Sequence, residues 1–325
     1  MTLSKLQMRT IFKNRFGHFR AGWRILFYFA FIIAFFELSE FLENSFLLLK
    51  GESLGNYALL QNRFVTKLLK LLSVVIPSLV LLKWLDKRPL GLLGVGFYKG
   101  FLRELGIGML MGLILVSGSI FILWATGLAS FTFNGFSLDI LLYLLLCLLI
   151  LIISASYEEI LFRGYIFQSL LEGSNLWITL GIYALLFGAA HLDNGIGTVT
   201  FAVVAGVYLG LLYYKTRALW MCIGMHFVWN WIEAPIFGIG VEGSKFLRKS
   251  LFSYQPFESS LFGNADLVIT LLQALFMIVF TILIWKVAWL KPSEYNQKLW
   301  AHYPPKFGTE AKIDDAPTTI SKSGE

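Results

Sequence analysis

Apolar residues run in long unbroken blocks along this chain, and the polar positions among them are of two kinds. Most are basic and sit at block edges. A few are ionisable and sit inside. The blocks lack the two-residue alternation of a half-buried strand, and several exceed the about 20 residues a helix needs to cross a bilayer. They predict eight spans, over 22–46, 64–85, 105–127, 138–171, 176–192, 196–214, 218–238 and 266–289. The first is long, rich in Phe and Ile and not followed by a small-residue cleavage pattern, so it reads as a retained span and not a signal peptide. Lys67 and Lys70 fall near one end of the second, which either starts later or lies partly at the interface. The expectation is an all-α, polytopic membrane helix bundle over 1–302, with about eight transmembrane helices. A polar, Pro-containing tail follows over 303–325, of a composition that predicts disorder.

Composition strengthens this picture. Hydrophobic residues make up 57% of the 325 and charged residues 14%, against roughly 45–50% and 25% in soluble domains. Mean hydropathy is +0.70. The net charge of +7 does not indicate a nucleic-acid partner, because the basic residues flank the spans. They group as Lys5, Arg9, Lys13, Arg15, Arg20 and Arg24; Lys83, Lys87, Arg88, Lys99 and Arg103; Lys215 and Arg217; and Lys286, Lys291 and Lys298. With eight spans all four groups fall on one side, which the positive-inside rule makes cytoplasmic together with both termini. Loops 128–137 and 193–197 carry no Lys or Arg; the segment 239–265, with Lys245, Arg248 and Lys249, is an exception. The expected location is an integral, multi-pass position surrounded by membrane lipid, in the plasma (inner) membrane if the source is bacterial. Cys147 and Cys222 lie in apolar runs without metal-like spacing and read as buried thiols. Gly106, Gly108 and Gly112 suit close helix packing, and no internal repeat is evident.

Ionisable groups inside spans are candidates for function, since each is costly in hydrocarbon. The intramembrane polar set is Glu158, Glu159, Arg163, His191, His226 and Asn230, with Glu37 and Glu233 nearer span ends. His18 and His302 flank the membrane region. Glu159 and Arg163 are four apart and can pair on one helix face, which leaves Glu158, about 100° around, to face elsewhere. His226 and Asn230 also share a face. Depth adds a second argument. Counted from the inner turns at 1.5 Å per residue, Glu158 lies at roughly 21 Å, His191 at roughly 22 Å, Asn230 at roughly 20 Å and His226 at roughly 13 Å. The fourth span is longer than a bilayer requires, and Glu158 lies roughly 30 Å along it, so the cluster belongs near the inner interface.

A carboxylate and an imidazole around a water form a hydrolytic site, the carboxylate taking a proton from the water. A further His and Asn can hold a developing oxyanion. The alternative is a His₂Glu zinc site of Glu158, His191 and His226 with an open position for water, although the HExxH helix is absent. Ser154 and Ser156 precede the carboxylates, but Ser on an apolar helix ordinarily bonds back to the i−4 carbonyl.

The three groups EExxxR (Glu158, Glu159, Arg163), FxxxH (Phe187, His191) and HxxxN (His226, Asn230), in order on separate spans, resemble the CPBP family. That family joins type II CAAX prenyl endopeptidases with bacteriocin-processing and self-immunity proteins. The resemblance covers 135–240, with only general features such as Ala21-Gly22-Trp23-Arg24 earlier in the chain. It implies an intramembrane endopeptidase acting on a membrane-associated peptide or protein, lipidated or not. Glu158 and His191 would activate water, His226 and Asn230 would stabilise the oxyanion, Glu159 and Arg163 would form a supporting pair, and Phe187 would pack beneath His191. It is consistent with metal-free chemistry or with Zn²⁺, and no cofactor is firmly implied; metal-free chemistry is preferred. Two other readings stand beside it: a catalytically silent immunity or scaffold protein of the same fold, and a transporter, against which the lack of repeated halves counts.

Overall fold

The computed structural model describes residues 12, 19–50, 56–192, 195–240, 249–257, 265–287 and 290–302. Lys5, Arg9, Lys13, Arg15, His18, Lys245, Arg248 and the tail 303–325 lie outside the described residues. Nine helices follow one another among those described: α1 Ala21–Lys50, α2 Asn56–Val80, α3 Phe101–Ala125, α4 Leu138–Gly173, α5 Leu176–Ala189, α6 Gly195–Thr216, α7 Trp220–Trp231, α8 Ala265–Lys286 and α9 Glu294–His302. Two strands, β1 Ala129–Phe133 and β2 Phe252–Pro256, pair antiparallel with Phe131 opposite Tyr254.

The structure is a polytopic helical bundle, in which α1, α2, α3, α4, α6 and α8 are each long and apolar enough to cross a membrane. The fifth and seventh predicted spans are shorter than the sequence suggests. The 14 residues of α5 end at Ala189, just before Leu192-Asp193-Asn194-Gly195, a run of turn-forming chemistry. The 12 residues of α7 pass into a π-helical turn, Ile232–Ile236, that contains Pro235, a residue with no N–H for the α ladder. Large apolar side chains lie exposed on the bundle surface, and Leu141, Leu145 and Leu149 form a half-exposed stripe along α4.

Helix α4 is the longest apolar element at 36 residues, roughly 54 Å if α-helical throughout. It starts where Ser137 Oγ accepts the Ile140 N–H at 3.1 Å, a conventional N-cap. Its α-helical turns give way to π-helix over Ile160–Phe167 and resume at Gln168. The close approach of α3 to α7 explains the glycines noted in α3. A Cβ on Gly108 would collide with the Met221 carbonyl, and one on Gly112 would lie 2.6 Å from the Met225 oxygen. Gly224 of α7 returns the contact against the Leu105 carbonyl, whereas Gly106 faces open space and takes no part.

The ends of the bundle differ. At one end the sheet ties the 128–137 loop to the segment after α7, and Lys249 pairs with Asp139 at 2.6 Å. At the other, Arg24 bonds Asp86 at 2.7 Å and also reaches Glu172 and Ser169, while Arg88 pairs with Glu172. Tyr98 stacks on Tyr295 of α9 at 5.4 Å, and the Arg217 guanidinium lies 4.8 Å over the Trp300 ring. The described parts of the four basic groups therefore converge on one end. The exceptional Lys249 is matched by an acid at the opposite end.

Candidate active site

The site begins with α4. Its last two α-helical turns before the π segment that carries Arg163 present Ser154, Tyr157, Glu158 and Glu159. π-Turns of this kind recur at functional sites because they re-aim neighbouring side chains. Glu159 and Arg163 are both fully buried, with Arg163 Nη1 donating to Glu159 Oε1 at 2.7 Å. The guanidinium also lies 4.5 Å over the Phe187 ring and 5.2 Å over Tyr183. The aromatic faces partly compensate a cation held out of water.

His226 comes from α7, which α3 holds in register through the glycine contacts. Its Nδ1 lies 2.8 Å from Glu159 Oε1, and its Nε2 lies 3.7 Å from Glu158 Oε2. Glu159 is therefore not spent on Arg163 alone, as its spacing suggested; one carboxylate oxygen takes both the guanidinium and the imidazole. A carboxylate only accepts, so Nδ1 carries the proton and Nε2 is the nitrogen turned towards Glu158. Glu158 is 21% exposed, against 0% for Glu159, and receives a 3.4 Å hydrogen bond from Ser154 Oγ. Ser154 thus contacts the carboxylate ahead of it, whereas Ser156 bonds back to the Ile152 carbonyl at 2.7 Å.

His191 sits two residues beyond the end of α5. Its Nδ1 donates to the Phe187 carbonyl at 2.8 Å, and the two rings lie 5.0 Å apart edge to face. Phe187 consequently packs against His191, fixes its tautomer and covers Arg163. With Nδ1 engaged, the His191 Nε2 bears a lone pair.

Glu158, His191, His226 and Asn230 line one cavity of about 500 Å³. Glu233 also lines it, buried, accepting from Trp229 Nε1 at 2.9 Å and from Gln273 Nε2 of α8 at 2.6 Å. Phe29, Ile32, Ile33 and Phe36 of α1 supply an apolar wall. Glu37 is exposed on α1 and lies outside the cavity. Lys67, noted from sequence only as lying near one end of the second span, lines the cavity, and its Nζ lies 3.3 Å from the Tyr157 hydroxyl. Lys67 and Tyr157 were not singled out from sequence for the site. The one available signal was a lysine inside an apolar block.

The zinc alternative gains no support. Among the described residues no group of three or more His, Cys, Asp and Glu side chains is arranged to hold a metal ion. Glu158, His191 and His226 share the cavity, and the contact of His226 Nδ1 with Glu159 leaves its Nε2 turned towards Glu158. Cys147 and Cys222 are buried free thiols that line no part of the cavity.

No curated protein and no solved structure matches this chain. Residues 139–232, from the start of α4 to the end of α7, do match a family model: they contain all three motifs and are similar to the Rce1-like family, type II CAAX prenyl endopeptidase Rce1-like, in keeping with the CPBP resemblance.

Proposed function

We propose that this protein is an intramembrane endopeptidase that hydrolyses a peptide bond of a membrane-associated substrate. The observation that carries this reading is that Glu158, His191, His226 and Asn230, from three separate helical segments, line a single cavity inside a membrane bundle. The family match supports a CAAX-protease-like activity at the family level. Water binds between the Glu158 carboxylate and the His191 Nε2 lone pair. Glu158 takes a proton as the water oxygen bonds to the substrate carbonyl carbon. The negative charge moves to the carbonyl oxygen, which Asn230 Nδ2 and His226 Nε2 hold as donors, the latter when the ring carries both protons. The C–N bond then breaks, and the proton on Glu158 passes to the leaving amine. Glu159 orients His226 throughout, and Arg163 pairs with Glu159 in a sealed site. The apolar wall from α1 receives the hydrocarbon parts of the substrate.

The test is proteolysis by full-length protein reconstituted in vesicles. Glu158→Gln and His191→Ala each lower turnover by about 10²–10⁴-fold, and both variants remain folded and inserted. Cleavage that persists at the wild-type rate in both would overturn the assignment.

A further inference from the structure

We propose that Glu233 is a positioning residue: it clamps the end of α7 to α8 and so fixes the Asn230 amide that holds the oxyanion. The inference rests on the proteolytic reading and deepens it with a partner from outside the matched family segment. That partner, Gln273, belongs to α8, whereas the match covers 139–232.

The end of α7 is weakly held by its own backbone. Asn230 lies in the last turn of α7, which ends at Trp231. Beyond it the ladder is π-helical over Ile232–Ile236 and includes Pro235, which has no N–H to give. An oxyanion donor is effective only when it is preorganised where the charge develops. A misplacement of about 1 Å can cost roughly 10²-fold in rate.

Glu233 supplies the missing hold from two sides. Its Oε2 accepts from Trp229 Nε1 at 2.9 Å, across the junction between the α-helical and π-helical turns. Its Oε1 accepts from Gln273 Nε2 at 2.6 Å. Trp229 in turn packs on Phe201 of α6, with ring centroids 5.3 Å apart. Asn230 is thus bracketed along the chain by one residue fixed to α6 and one fixed to α8. Glu233 and Gln273 are both buried, so a lost acceptor is not readily replaced by water. His226, Asn230 and Glu233 follow at intervals of four and three and share a helix face, and all three line the cavity. Met277, one turn along α8 from Gln273, lines it too. The clamp therefore acts at the cavity wall itself.

A clamp and a working acid make different demands on residue 233. A clamp needs two polar positions of the right shape and no charge. An amide meets that need: its oxygen accepts from Trp229, and its NH₂ donates to the Gln273 carbonyl oxygen once that side-chain amide turns over. A Leu of similar size meets neither demand.

The experiment uses full-length protein in phosphatidylcholine vesicles, an apolar reporter peptide, and the variants Glu233→Leu, Glu233→Gln and Gln273→Leu. Rates are expressed per folded molecule. Glu233→Leu lowers kcat by about 10–100-fold. Its KM stays near the wild-type value, because the lost interaction is made only in the transition state. Gln273→Leu keeps the Trp229 bond and lowers kcat less. Glu233→Gln keeps most of the wild-type kcat. Amide hydrogen exchange over 226–233 reads the clamp without substrate: it is faster in both Leu variants and at the wild-type rate in Glu233→Gln. Wild-type kcat in either Leu variant overturns the proposal, as does unchanged exchange in Glu233→Leu. A Glu233→Gln protein as slow as Glu233→Leu also overturns it, by giving the charge a role of its own. If exchange follows the expected pattern while wild type leaves the reporter uncut, the clamp stands and the proteolytic reading is what fails.

Discussion

Helix α4 carries a buried charge cluster at each end of its π segment, and the two differ in what they leave accessible. Beyond the π segment, Glu172 meets Arg24 and Arg88, with Asp86 beside them, so that two cations face two carboxylates. Before it, Glu159 meets Arg163 and His226, while Glu158 stands next to them with part of its surface open to a cavity. The first cluster ties together the start of α1, the loop after α2 and the end of α4. The second seals one acid and presents the other. Burial of charge alone does not single out a site, since both clusters are buried; an unsealed carboxylate facing a cavity with two imidazoles is what makes the second the candidate.

Substitutions in the two clusters should therefore separate function from stability. The largest expected effect is at Glu159. Replacement by Leu strips Arg163 of its carboxylate and His226 of its orienting acceptor, costing about 3–5 kcal/mol and abolishing cleavage. Activity per folded molecule, measured against the fraction that survives thermal challenge, should fall far more than stability explains. An active Glu159→Leu protein would show that the imidazole needs no acceptor there. Next comes Arg24→Leu. It leaves Asp86 and Glu172 short of a cation, but Arg88 still neutralises Glu172, so the loss should be about 3 kcal/mol. Cleavage per folded molecule should stay at the wild-type value. If it falls, the two clusters are coupled through α4.

The smallest effect concerns pH. Burial pushes the Asp86 carboxyl up to about 6, against the pull of the Arg24 guanidinium. An unfolded Asp titrates near about 3.9. Between these values the folded protein binds more protons than the unfolded chain, so stability falls as pH rises from about 4 to about 6. Asp86→Asn lacks this contribution. The melting temperature of wild type relative to Asp86→Asn should drop by a few degrees (about 2 kcal/mol or less) between pH 4.5 and pH 7. A rise over that interval would mean that the Arg24 pair outweighs burial.

The helices were legible because a membrane demands long apolar runs, and six helices of spanning length are present among the described residues. The two shorter helices were overestimated because apolar residues continue past the helix ends at Ala189 and Trp231. Hydropathy cannot see a turn made of apolar residues or a π segment. Counting along each helix put Glu158, His191 and Asn230 at matching depth, and they do line one cavity. Rotation between helices was not countable, so the bond from His226 to Glu159 and the placement of Lys67 on the cavity wall were invisible. The sheet was missed for a related reason. Ala-Ser-Phe-Thr-Phe and Phe-Ser-Tyr-Gln-Pro are short segments whose pairing joins residues far apart in sequence.

The π segment has one more consequence. A π-turn corresponds to a residue gained by an α-helix, and one residue is worth about 100° of rotation. Glu159 and Glu172 lie on opposite sides of it, so their relative bearing depends on that extra residue. Deleting a single amino acid between Ile160 and Phe167 would restore an ordinary helix and turn the two acids out of phase. The chain could then satisfy the guanidinium of Arg24 or the imidazole of His226, but not both. The π segment thus sets the bearing of both acids at once, and each end depends on it for its partner.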